Sequence, residues 1–153
     1  MVVHRTGTMS EQQNLKFVRE VWASIDNGGV EAALELTPGV EWRPHAAEGR
    51  TLTSEELLRF IRDFQGDREI LEAKPYSFHA KGDLVLASGS FRLRGRERLS
   101  EFQIHWIYEF DEGKLARATS FGSRREALDA MGLTEADVDQ QSGLRRSLDG
   151  WSM

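Results

Sequence analysis

Hydrophobic and polar residues alternate with two different periods along this chain, and the change of period divides it. Over residues 12–26, Leu15, Val18, Val21, Trp22 and Ile25 recur at helical spacing while Glu11, Lys16, Arg19 and Glu20 fall on the opposite side, the pattern of a helix with one buried stripe. Asn27, Gly28 and Gly29 stop it. A second short helix over 30–36 ends ahead of Pro38 and Gly39. Residues 40–45 then alternate Val40 and Trp42 with Glu41 and Arg43, as a half-buried strand does, until Pro44 closes the ladder. Thr53, followed by Glu55 and Glu56, marks the next helix start, whose stripe is Leu57, Leu58, Phe60, Ile61 and Phe64.

From Ile70 the period falls to two. It runs through Tyr76 and Phe78, turns at Lys81, Gly82 and Asp83, and continues with Val85, Ala87, Gly89, Phe91 and Leu93 on one face. Residues 102–133 read as strand, tight turn, strand and helix. Taking Asp111, Glu112 and Gly113 as a three-residue loop pairs Tyr108 with Ala116, Trp106 with Ala118 and Ile104 with Ser120, so one face sets large rings against small side chains. That face predicts a hollow. The other face carries Gln103, His105, Ile107 and Glu109 against Leu115, Arg117, Thr119 and Phe121. Helix 124–131 closes at Gly132.

Three helices followed by an antiparallel meander give an α+β class. At 153 residues one domain is expected, with residues 1–10 as a disordered leader, 11–133 as the domain and 134–153 as a polar tail that is disordered or forms a short helix. In the tail only Trp151 offers an anchor. The leader has no apolar core like that of a secretory signal, and Met9 is a candidate internal start. No apolar run reaches membrane-spanning length, so a cytoplasmic protein is expected.

Lys and Arg number 20 against 25 Asp and Glu, a net charge of -5, which argues against a nucleic-acid footprint. Arg92, Arg94, Arg96 and Arg98 form a local basic stripe that reads as a solvated strand end. The absence of cysteine excludes disulfides and thiolate chemistry. Three scattered histidines beyond His4 make no converging zinc set, so neither metal nor cofactor is expected.

The segments DNGGVEAALEL, VEWRP, TSEELLRFIRDF, FDEGKLARATSF and REALDAMGL together resemble the SnoaL-like branch of the nuclear transport factor two-like superfamily, over roughly residues 15–133. The resemblance implies a cone, in which a curved sheet is closed by helices over a deep apolar pocket, and a homodimer through the outer sheet face. It does not carry over the catalytic residues. The aspartate base of ketosteroid isomerase falls on Trp42 or Arg43, its first-helix tyrosine on Val21 and its protonated acid on Trp106. The last-strand aspartate of limonene epoxide hydrolase falls on Ser120, and its arginine and aspartate partners on Gly89 and Phe91. SnoaL-type cyclases likewise place an acid where Ser120 or its neighbours stand.

What remains is a pocket formed by Trp22, Trp42, Phe60, Phe64, Phe91, Trp106, Tyr108, Ala118 and Ser120, suited to a small apolar, cyclic molecule. Two residues are candidate acid–base groups. His45 is expected at the mouth, and the Tyr108 hydroxyl could donate to a ligand carbonyl. His79 is expected at the surface, and Glu109 with Arg117 as an exposed ion pair. The alternatives are an isomerase, dehydratase or cyclase using an unusual acid or base, and a dimeric interaction module whose cone is filled by its own side chains.

Overall fold

The structure, a computed structural model, describes residues 2–137, with side chains from residue 11 onward. Its elements are helix α1 (Val2–Glu35), strand β1 (Glu41–Arg43), a 3₁₀ turn (His45–Ala47), helix α2 (Ser54–Gln65), strands β2 (Glu69–Lys81), β3 (Leu84–Arg94), β4 (Leu99–Asp111) and β5 (Lys114–Phe121), and helix α3 (Arg124–Ala130). The expected boundary after residue 10 falls inside α1. Residues 138–153, including Trp151, lie outside the described residues. Thr134 starts a further short turn, its hydroxyl accepting from the Asp137 N–H.

Local chemistry accounts for the helix ends. Gly29 adopts φ 80 and ψ 179 and so breaks α1 where the glycine pair forecast a stop. Thr53 and Glu56 form a reciprocal capping box at the start of α2: the Thr53 hydroxyl accepts from the Glu56 N–H while the Glu56 carboxylate accepts from the Thr53 N–H. The Thr53 backbone N–H, and after it the Thr53 hydroxyl, beside the Glu56 carboxylate hold its pKa below the usual value.

The sheet has the order β1-β5-β4-β3-β2, with β1 parallel to β5 and every other pairing antiparallel. The helices α1 and α2 cover its inner face. There Val18, Trp22, Leu57, Val85, Ala87, Tyr108, Phe110 and Ala118 pack into one cluster. A second cluster lies on the outer face, where Ala127, Leu128 and Met131 of α3 and its end seal Leu86 and Ile107. Part of the face expected to pair with a second subunit is thus occupied by the chain itself.

The β4–β5 register differs from that expected. The loop has two residues, Glu112 (φ 51) and Gly113 (φ 80), a left-handed pair that matches strand twist, so Asp111 pairs with Lys114 and Phe110 with Leu115. A bulge then inserts Ala116, after which Tyr108 faces Ala118 and Trp106 faces Ser120. The shortened loop and the extra residue together shift the pairing by two. An even shift keeps each side chain on its face, so Trp106 and Tyr108 still point inward. Leu115 is the exception, moving to the inner cluster. Glu109 and Arg117 are directly opposed, 3.9 Å apart, and Arg117 also pairs with Glu41 at 3.0 Å.

Candidate functional site

Alternation along β4 and the helical stripes of α1 and α2 converge on a cavity of about 400 Å³ between helices and inner sheet face. Val21, Trp22, Ile25 and Val30 come from α1, Leu57, Phe60, Ile61 and Phe64 from α2, and Ile70, Phe91, Leu93, Ile104, Trp106 and Tyr108 from the sheet. The rings interlock: Trp22 stacks on Phe91 with centroids 6.0 Å apart, and Trp42 meets Trp106 edge-on at 5.6 Å. Gly89 makes the first of these possible. A Cβ there would lie 2.6 Å from the Trp22 ring and 2.6 Å from the Lys74 carbonyl oxygen.

Of the residues expected in the pocket, Trp22, Trp42, Phe60, Phe64, Phe91, Trp106, Tyr108 and Ser120 line this cavity. Ala118 does not; it is wholly buried in the inner cluster, opposite Tyr108 across the strands. Phe64 sits at the rim, 48% exposed, edge-on to Phe102. The alternation of β4 places Phe102 and Ile104 on the face of Trp106, a signal that could have identified both. Nothing in the sequence foretold the lining by Pro44, Ala46 and Gly122, which depends on how the loop after β1 meets the end of β5.

Tyr108 brings a deeply buried hydroxyl to the lining and is 3% exposed. Its hydroxyl oxygen accepts from the Trp22 indole N–H at 3.1 Å, and its own proton has no acceptor among the described residues. Burial raises its pKa above the usual 10, more than the Trp22 bond lowers it, so the group stays a neutral donor at ordinary pH.

Ser120 repeats the arrangement nearer the mouth: its oxygen accepts from the His45 backbone N–H at 2.7 Å, and its hydroxyl proton likewise finds no acceptor among the described residues. The Trp42 indole N–H, by contrast, is taken by the Ser54 hydroxyl at 3.2 Å.

His45 is exposed at the mouth, with its ring against Gly122, where a Cβ would come within 2.8 Å of Nε2. No hydrogen bond joins it to Tyr108 among the described residues. The other two histidines lie on the outer face. His105 is 4% exposed, with Nδ1 2.8 Å from the Ser88 hydroxyl, and His79 is 8% exposed, buried rather than at the surface as expected. No group of His, Asp or Glu among the described residues could hold a metal. No helix among the described residues is long and apolar enough to cross a membrane.

Solved structures decide the fold. An NTF2-like protein from Burkholderia thailandensis superposes with a TM-score of 0.59 at 21% identity, covering 77% of this chain and 96% of that one. This is an NTF2-like fold. A protein named as a SnoaL-like polyketide cyclase, from Mesorhizobium loti, matches with a TM-score of 0.54 at 14% identity over 69% of this chain and 96% of its own, so the SnoaL-like resemblance holds at the level of fold. TerC, co-crystallised with polyporic acid, matches at 0.59 and 17% identity over 76% and 96%. No family model matches the sequence, and no curated protein is a significant match.

Proposed function

We propose that this NTF2-like protein binds a small, apolar, planar cyclic molecule carrying a hydrogen-bond acceptor. The supporting observation is the pairing of an aromatic-lined hollow of about 400 Å³ with a buried Tyr108 hydroxyl that accepts from Trp22 and whose own proton has no acceptor among the described residues. The volume lies in the range of small-molecule sites, about 300 to 1,000 Å³. Carbon lining supplies affinity through burial, and one directed donor supplies orientation. TerC, which shares the fold at 17% identity, was co-crystallised with a cyclic molecule, polyporic acid.

Binding is favoured over acid–base chemistry because no hydrogen bond links the two candidate groups among the described residues. Tyr108 is a neutral donor on the floor, and His45 lies at the mouth without a bond to it. 1,4-Naphthoquinone, a planar quinone, and naphthalene are suitable probes, since Trp22, Trp42 and Trp106 line the cavity and report occupancy by fluorescence. Saturable quenching with a rise in Tm is expected for both. Tyr108→Phe keeps the ring and should weaken the quinone about three- to tenfold while sparing naphthalene. Neither quenching nor a shift in Tm with either compound would overturn the proposal.

A further inference from the structure

The hollow itself is free of permanent charge, and its rim is not. Its lining residues include no Asp, Glu, Lys or Arg, so an ionised group carried to the floor would lie buried without a counter-charge. At the rim, Phe64 from the end of α2 and Phe102 of β4, both lining residues, meet edge-on with centroids 5.1 Å apart. The Arg68 guanidinium lies over both rings, 5.1 Å from the Phe64 centroid and 5.6 Å from that of Phe102. Arg68 does not line the hollow; it rests on two rings that do. Its Nε–H donates to the Gln65 carbonyl at 3.1 Å and its Nη2 to the Phe64 carbonyl, while Gln65 Nε2 donates back to the Arg68 carbonyl at 2.7 Å. These bonds tie the cation to the last turn of α2, beside the opening.

That cation has no carboxylate partner among the described residues. Arg62, Arg92, Arg94, Arg117 and Arg124 each pair with a glutamate, and Glu69, next to Arg68 in the chain, is engaged by Arg94 at 2.7 Å. Asp67, on its other side, makes no ion pair with it among the described residues. Arg68 is half-buried, and its Nη1 has no acceptor among the described residues. Two aromatic rings displace part of its hydration, and no anion of the chain replaces it. We infer that the ligand is a cyclic acid, whose ring body fills the hollow and whose anionic group, a carboxylate or its equivalent, lies at the rim against Arg68. This rests on the proposed binding function and narrows its ligand class. The net charge of -5 opposes any anion, so a preference for one has to arise locally, at this arginine.

Two probes of nearly the same shape, 2-naphthoate and 2-naphthamide, isolate the charge. They share the rings and a carbonyl oxygen, and at neutral pH only the first is ionised. By tryptophan quenching at low salt, naphthoate should bind about three- to tenfold more tightly than the amide, the range of a partly screened ion pair. Arg68→Gln should bring the two affinities to within about twofold of each other, because the amide side chain keeps polarity but not charge. Raising NaCl to about 0.5 M should reduce the preference of the wild type, since a rim open to solvent is screened. Equal affinities of the wild type for the two probes at low salt, or a preference that survives Arg68→Gln, would overturn the inference. Should that variant fail to fold, a wild-type preference unmoved by salt would overturn it instead. If naphthalene and naphthamide bind with no preference for the acid, only the charge rule fails; if no probe quenches, the binding function fails with it.

Discussion

The two faces of one sheet have been put to opposite uses. Both are built from β3 and β4, with alternate residues going to either side. On the outer face α3 lays Ala127, Leu128 and Met131 over Leu86 and Ile107, and the polar pair beside them is matched, Ser88 with His105. On the inner face the helices pack Val18 and Leu57 into the main core but leave a hollow lined by large rings, where two hydroxyls keep protons to donate. Open space and unmet donors therefore occur together. A face that needs nothing more is stability, and a face that leaves both space and donors unmet is where a ligand belongs.

The largest test of this contrast is to remove carbon from each side. Leu128 is 2% exposed and sealed against the outer sheet, so Leu128→Ala should cost about 2 to 5 kcal/mol in denaturant unfolding. Phe64 borders the existing hollow and is 48% exposed, so Phe64→Ala should cost about 1 kcal/mol or less, despite the greater loss of atoms. Equal costs would mean that the two faces do not differ in packing. Adding an atom probes the inner side from the other direction. Gly89→Ala must displace Trp22 or the backbone at Lys74, and overpacking of that kind costs about 1 to 3 kcal/mol. Since the Trp22 indole holds Tyr108, the same variant should weaken quinone binding, and unchanged affinity would separate the Trp22 contact from the site.

The fold was largely legible because it depends on periodicity. The stripe of α1, the break at Gly29, the Thr53 cap and the alternation of β3 and β4 all act within a few residues, and the structure places them as expected. Register was less legible. Nothing in FDEGKLARA distinguishes a three-residue loop from a two-residue loop plus a bulge at Ala116, because both satisfy Gly113. The lining aromatics survived that error through parity alone. What could not be read were contacts between remote segments: the His45 N–H on Ser120, the Trp22 indole on Tyr108 and the approach of Gly122 to the His45 ring. These set which polar groups remain available, so the walls of the site were visible in the sequence while its donors were not.

The smallest expected effect belongs to the outer face and tests whether its polar pair is as settled as it looks. Burial lowers the His105 pKa below 6.5, the nearby Arg124 guanidinium lowers it further, and the Ser88 hydroxyl faces Nδ1. A lowered value means that the unfolded chain binds a proton more readily than the folded one. The neutral ring thus contributes stability that is fully present above pH 6.5 and is lost as pH falls through the folded-state pKa. Tm should decline from pH 7 toward 5 in the wild type and decline less in His105→Gln, which cannot titrate, with carboxylates common to both cancelling in the difference. Parallel curves would show that His105 carries no protonation cost, and the outer face would then be less tightly closed than α3 and the Ser88 contact indicate.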